Sequence, residues 1–262
     1  LSPRALEALG QAAVVACEDT RRTGRLLSHF GIASPTYIVV NEHTEGDAAE
    51  RVLGHVQRGD VVVLVSDAGM PGVSDPGEFL VSKAIEAGVT VEVVPGPSAV
   101  LHALVASGLT TSRFVFEGFL PRKGSGRALR LRELADEHRT AVLFEAPHRL
   151  AKTLNDLAEV CGGERRIVLA RELTKIHEEI WRGSISDAIE HISNAEPIGE
   201  YVILIESAPP RPAVTEDLID SALKSALVDG RSVKDAANDV ADMFQLPKRD
   251  LYERALRLRG QR

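Results

Sequence analysis

Apolar runs at 12–17 (AAVVAC), 37–40 (YIVV), 61–65 (VVVLV) and 89–94 (VTVEVV) alternate with stretches of helical periodicity near 45–58, 77–87 and 97–107. Runs so rich in β-branched residues leave no face for water, which predicts parallel strands covered by helices on both sides. Ser2 in the N-cap place and Pro3 at the first helical position predict that the sequence opens on a helix. From about Phe114 the rhythm changes. FVFEGFL, TAVLFEA, RRIVLARE, EEIWRGS and EYVILIE predict strands, with helices near 124–137 and 148–160 between the earlier ones. The later strands follow one another on short connections, so a mixed sheet in a second α/β domain is expected. Ala208-Pro209-Pro210-Arg211-Pro212 reads as a stiff linker. Beyond it the pattern is helical: one helix around 216–228 stopped by Gly230, a second from Ser232 to Phe244, a break at Gln245-Leu246-Pro247, and a third, basic helix. That spacing fits a helix-turn-helix facing nucleic acid and equally a small bundle packed on a neighbour. The expected division is therefore 1–110, 111–207, a linker at 208–214 and a helical tail at 215–262.

Composition narrows the class. In 262 residues, 44% hydrophobic, there is material for substantial cores, and no run reaches the roughly 18 apolar residues of a membrane span. With no secretory leader either, a cytoplasmic protein is expected. Cys17 and Cys161 lack CxxC spacing, which favours packing over a disulfide, and no metal site is expected. A net charge of -7 excludes a uniformly basic nucleic-acid binder. Two local patches run the other way. Residues 121–132 (PRKGSGRALRLR) hold five Lys/Arg and no acid, and 247–262 (PKRDLYERALRLRGQR) hold six against two acids.

The candidate chemistry centres on VSDAGMPGVSDPG, residues 65–77, directly after the run VVVLV. A loop following a buried parallel strand lies at the carboxyl edge of its sheet, where open α/β folds bind ligands. Its glycines permit close backbone approach, its prolines stiffen the path, and its aspartates accept hydrogen bonds. Asp75 is expected to cap the next helix, with Ser66 to Gly69 forming the ligand wall. Spacing excludes the common alternatives: there is no GxxxxGK[ST], no GxGxxG opening a helix, no GxSxG and no HExxH. His177-Glu178-Glu179 reads as an exposed strand start. A second turn, Val94-Pro95-Gly96-Pro97-Ser98-Ala99, follows the next predicted strand and opens towards the same crevice. Small residues on both turns suit a flat, nucleoside-bearing ligand without a polyphosphate.

These two loops, SDAGMPGVSDPG and VPGPSA, closely resemble the tetrapyrrole-methylase-like superfamily of S-adenosylmethionine methyltransferases. EDTRRT at 18–23, NEH at 41–43, EAPHR at 145–149 and ARELTKIHE at 170–178 resemble, within it, the ribosomal RNA small subunit methyltransferase I family. The likeness runs from residue 1 to about 206, and LPKRDLYERAL extends it into the tail. It implies two α/β domains of the tetrapyrrole methylase type with a cofactor crevice between them, plus a small helical domain. It also implies methylation of the ribose 2′-oxygen of a cytidine in the decoding region of 16S rRNA, in the small ribosomal subunit, by a homodimer. Family members begin with a strand and a Pro/Gly turn ahead of the helix at residue 2; that stretch is absent from this sequence, so one border of the crevice is expected to be missing from it.

By the same resemblance, S-adenosylmethionine is expected to touch Asp67, Ala68, Gly69 and Met70 in the first loop, Ser98 and Ala99 in the second, and Phe144 and the Gly199-Glu200 turn from the second domain. Among Glu18, Glu145, His148 and Glu172, the expected general base is Glu145 or His148, because a strand ending in EAPHR delivers both to a sheet edge. The alternative for Glu145 is a structural pair with Arg149 or Arg171. Arg21, Arg22, Arg122, Lys123, Arg149, Arg171, Lys175, Lys248 and Arg249 are the expected RNA phosphate contacts. With aromatics at 4%, recognition by shape and backbone is favoured over base stacking. Two rival readings remain at this point: a methyltransferase of the same fold acting on a tetrapyrrole or other small molecule, and a non-catalytic RNA-binding assembly factor.

Overall fold

The structure is a computed structural model that describes residues 1–33, 35–41, 43–67, 69–193, 196–210, 215–244 and 246–260. It forms two compact units, Leu1–Ala208 and Pro209–Arg262.

The first unit opens with helix α1 (Pro3–Gln11), where Ser2 Oγ accepts from Ala5 N and Pro3 occupies the first turn. Strands β1 (Val14–Cys17), β2 (Thr36–Val39) and β3 (Val62–Leu64) form a parallel sheet in the order β2-β1-β3. Alternation along β1 sends Val14 and Ala16 into one core, with Ala48, Val52 and Leu80, and Val15 and Cys17 into another, with Leu9 and Leu27. Both faces are thus dry, as the unbroken apolar run requires. Helices α2 (Thr20–His29), α3 (Glu45–Gln57), α4 (Glu78–Glu86) and α5 (Ala99–Ser107) follow the strands.

The second sheet has the order β4-β5-β8-β6-β7, from β4 (Phe114–Phe119), β5 (Thr140–Glu145), β6 (Arg166–Arg171), β7 (Glu179–Ser184) and β8 (Tyr201–Ile205). The pair β4 and β5 is parallel and the other pairings are antiparallel. Helices α6 (Ser125–Ala135), α7 (Pro147–Cys161) and α8 (Ile185–Ser193) belong to this half. One face of the sheet packs Leu143, Ile167, Leu169 and Ile203 on Leu150, Leu154 and Leu157 of α7. The opposite face packs Val142, Val168, Val202 and Leu204 on Val100, Ala103 and Leu104 of α5. Helix α5 is apolar nearly all round, and its burial on the second sheet joins the two halves of this unit.

Three local expectations are revised. The run at 89–94 forms no strand: β3 is the outer member of its sheet among the described residues, and Val91 and Val93 stand 40% and 65% exposed without a ladder partner. The pattern also leaves α2 and α8 unpredicted. Asp75 does not cap α4; the N-cap is Gly77, and Glu45 Oε1 from α3 accepts from Gly77 N at 2.9 Å and Leu80 N at 3.2 Å. Gly77 has φ 136°, and a Cβ there would lie 2.8 Å from Leu64 Cδ2, so the turn requires glycine.

The second unit comprises α9 (Glu216–Val228), α10 (Val233–Phe244) and α11 (Lys248–Gly260) around Ile219, Leu223, Ala237, Val240, Leu251 and Ala255. Thr215 Oγ1 caps α9 by accepting from Leu218 N, and Arg254 of α11 pairs with Asp220 and Glu216 of α9.

Candidate active site

A cavity of about 490 Å³ opens in the first unit at the carboxyl ends of β3, β4, β5 and β6. Its walls come from both halves: Gly69, Met70 and Val73 to Asp75 after β3, Pro97 to Val100 and His102 at the start of α5, Phe119, the Phe144–Pro147 corner, Leu173 to Lys175, and Glu200 to Val202. Phe144 lies 5.6 Å from Phe119 and 5.0 Å from Phe116 between ring centroids, which gives the cavity an aromatic flank. Ser98 Oγ accepts from Leu101 N and caps α5, so that helix points its amino end at the space. Glu172 and Thr174 have φ 49° and 65°, and this left-handed backbone delivers Leu173, Thr174 and Lys175 to the wall.

Of the residues expected to touch a cofactor, Gly69, Met70, Ser98, Ala99 and Phe144 line the cavity. Ala68 lies outside the described residues. Asp67 is not in the lining; its N–H donates to Glu18 Oε1 at 3.1 Å, and its carboxylate sits 3.4 Å from Arg22. Gly199 stays behind the wall, whereas its neighbour Glu200 lines it. With φ 90° and a Cβ position 2.6 Å from Glu172 Cγ, Gly199 lets that turn close on β6.

The two expected general bases are placed very differently. Glu145 lines the cavity but is 2% exposed, and its oxygens are occupied: Oε1 accepts from Ala146 N at 2.9 Å and faces Arg149 Nε at 3.1 Å, while Oε2 accepts from Thr153 Oγ1 at 2.6 Å. Two hydrogen bonds and an ion pair on a carboxylate this deeply buried make it an anchor for the corner, out of reach of a substrate proton. His148 is exposed on the first turn of α7 and takes no part in the lining. Glu172 accepts from Lys175 Nζ at 2.8 Å and from Glu200 N at 3.0 Å; the lysine hydrogen bond, then the backbone one, hold its pKa below the ordinary value.

Asp75, read from the sequence as a cap, instead faces the cavity. Its Oδ2 and the nearby Ser66 Oγ are buried without a hydrogen-bond partner. Burial, reinforced by the carboxylates of Glu18, Asp67 and Glu200, pushes the Asp75 pKa up. The Ser66 hydroxyl tempers that rise by proximity, although its geometry completes no bond. The sequence signal was available in SDPG after a strand end, but capping and ligand contact use the same residue type.

The expected RNA contacts divide sharply. Arg122 and Lys123 are exposed at the head of α6. Arg21 is 86% exposed beside Asp19, whose carboxyl its hydrogen bond holds down at about 2. Arg22 is 63% exposed next to Asp67. Arg149 is instead sealed into the fold: besides Glu145 it donates from Nη2 to Leu120 O at 2.6 Å, which leaves it unsuited to phosphate. Arg171 pairs with Glu179 at 3.0 Å, and Lys175 with Glu172 and Glu200. Arg127, in the middle of the basic stretch, is 4% exposed and bound to Asp156, Thr153 and Pro121 O. In the second unit, Lys248 pairs with Asp242 at 3.1 Å, while Arg249 projects from α11.

Residues 1–189 match the family of Tetrapyrrole (Corrin/Porphyrin) Methylases, and residues 212–259 match the RsmI C-terminal HTH domain. A ribosomal RNA small subunit methyltransferase I of Synechocystis sp. is 44% identical over 260 residues, covering 98% of this chain and 93% of the relative. Among solved structures, the methyltransferase CobJ superposes with a TM-score of 0.59 at 24% identity, over 81% of this chain and 90% of CobJ. The uroporphyrin-III C-methyltransferase of Thermus thermophilus, solved with S-adenosylhomocysteine, gives a TM-score of 0.53 at 20% identity, over 79% of this chain and 90% of that one.

Proposed function

Because the chain belongs to the ribosomal RNA small subunit methyltransferase I family, built on the tetrapyrrole methylase fold, we propose that it methylates the ribose 2′-oxygen of a cytidine in the decoding region of 16S rRNA. The enzyme is an S-adenosylmethionine-dependent methyltransferase, and we place its cofactor in the cavity of about 490 Å³. The observation that carries this placement is convergence: Gly69 and Met70, Ser98 and Ala99, and Phe144 reach one space from three separate elements. Two buried polar atoms without partners, Ser66 Oγ and Asp75 Oδ2, fit a ligand that combines a flat nucleoside with charged and hydroxyl groups.

When bound, the cofactor supplies an electrophilic methyl group on a sulfonium. The protein's part is chiefly positioning, since holding two reactants in line can lower a barrier by roughly 7–11 kcal/mol. Gly69, Met70, Ser98 and Ala99 present main chain and small groups for close approach, and Phe144 supplies an apolar wall that excludes water. Glu145 fixes the corner at the end of β5 by holding Ala146 N, Arg149 and Thr153. Exposed Arg122 and Lys123, with Arg21 and Arg22, are the cations we assign to RNA phosphates in the first unit, and Arg249 in the second. The basic surface, limited to patches, suits rRNA shaped within the small ribosomal subunit in the cytoplasm. We also read the enzyme as a homodimer, in keeping with the exposure of Leu101 at 53% and Val105 at 78% on α5.

Incubation with labelled S-adenosylmethionine and unmodified small ribosomal subunits, followed by mapping of ribose methylation, tests the reading. One 2′-O-methyl group on a decoding-region cytidine is expected. Label on a base, or none despite cofactor binding, would overturn the assignment.

A further inference from the structure

The carboxylates around the cavity are unequally compensated. Glu145 has Arg149 at 3.1 Å, Asp67 has Arg22 at 3.4 Å, and Glu200 has Lys175 at 3.1 Å. Asp75 has no Lys, Arg or His partner among the described residues. Its Oδ2 is buried without a donor, and the charged groups that act on it, Glu18 after β1, Asp67 after β3 and Glu200 ahead of β8, are all negative. The other titratable side chains of the wall are His102 on α5, Tyr201 at the start of β8 and Lys175, the last held by Glu172 and Glu200. An acid so placed costs free energy in the empty protein unless it meets a proton or a cation. The cofactor is a cation source of a special kind. S-adenosylmethionine carries a positive sulfonium, whereas S-adenosylhomocysteine, left after the methyl carbon moves to oxygen, the C–S electron pair returns to sulfur and the hydroxyl proton departs to solvent, has a neutral thioether.

We propose that Asp75 recognises the positive charge of the methyl donor, so that the cavity binds S-adenosylmethionine in preference to S-adenosylhomocysteine. This rests on the placement of the cofactor in the cavity. The consequence is functional: transfer itself removes the charge that Asp75 holds, so the product loosens as it forms and fresh donor displaces it. Glu18, Asp67 and Glu200 strengthen the effect by keeping the surrounding potential negative even where their own charges are paired.

Calorimetric titration of both ligands into the wild-type protein and three variants tests this without reference to turnover. Asp75→Asn should weaken S-adenosylmethionine about tenfold or more, the size of one partly screened charge contact, and S-adenosylhomocysteine by less than about threefold. Asp75→Glu, which keeps the charge, should retain most of the preference. Acidification should erode the wild-type preference as Asp75 takes up a proton, and Asp75→Asn should lack that dependence, which separates it from titration of His102 and the neighbouring acids. Equal weakening of both ligands by Asp75→Asn, or a wild-type protein that binds them equally, would overturn the proposal. Ala99→Trp, which fills the cavity, separates this from the underlying reading: loss of both ligands upholds the site, and unchanged binding of both would show that the cofactor lies elsewhere and end both claims.

Discussion

Two acids line the same cavity from different elements and could hardly differ more. Glu145, at the end of β5, is almost wholly buried and bonded to Ala146, Arg149 and Thr153. Asp75, in the loop after β3, is half-buried with an oxygen that meets no donor. The first carboxylate is committed to the fold; the second keeps bonding capacity unused. Lining a cavity is therefore a weaker sign of function than lining it with bonding capacity unused, a distinction that comes from the hydrogen-bond partners rather than from position.

The strongest way to break the comparison is Glu145→Ala. Removing one member of a buried pair strands Arg149, 18% exposed, and should lower unfolding free energy by about 3 kcal/mol in denaturant titration. A loss below about 1 kcal/mol would make Glu145 a candidate base again. Arg127→Ala should cost a similar amount, about 2–3 kcal/mol, because the side chain is buried against Asp156 and Thr153. Its exposed neighbours provide the contrast. Replacing Arg122 and Lys123 by alanine should leave the melting temperature unchanged and weaken rRNA binding, reducing the salt slope of log K by about one for each phosphate that is no longer neutralised.

The smallest expected effect concerns Asp75 in the ligand-free protein. Its pKa is raised on folding, so the native state holds the proton more tightly and stability falls as pH rises through the folded pKa. Above that value Asp75→Asn should raise the melting temperature by roughly 2 °C, a modest gain because solvent screens a half-exposed group. The gain should vanish in acid, below the unfolded value of an ordinary aspartate. A destabilised Asp75→Asn at neutral pH would mean that the carboxylate has a structural partner after all.

The places where pattern and structure part company share a cause. Continuous apolar runs such as VVAC identify strands because a residue buried on both faces has few other uses. VTVEVV carries the same local signal and yet forms no ladder, and β3 remains the outer member of its sheet among the described residues; local composition does not determine whether a strand finds a partner. Helix α2 escapes the pattern because TRRTGRLLSH has only Leu26 and Leu27 as apolar residues to mark its face, and Asp19 secures its start by accepting from Arg21 N and Arg22 N. The capping of α4 from Glu45, 32 residues before Gly77, lies beyond any local reading. The cavity lining was more legible. Gly69, Met70, Ser98 and Ala99 sit in turns that follow apolar runs, where small residues and strand ends leave backbone free for a ligand.

The sequence by itself determined the family, most of the α/β elements ahead of a helical tail, and the loops that border the cavity. These follow from local composition and from motifs whose residues are contiguous. Only the tertiary structure decided which charges are available. Arg122 and Arg127 occupy one basic stretch, but Arg122 stands exposed in the loop ahead of α6 while Arg127, on the helix, is turned onto Asp156. Likewise Glu145 and Asp75 look alike as acids after strands, and only packing brings Arg149 and Thr153 to the first while surrounding the second with Glu18, Asp67 and Glu200. Charge compensation depends on distances of a few ångströms between side chains far apart in the chain, and that information exists only once the chain has folded.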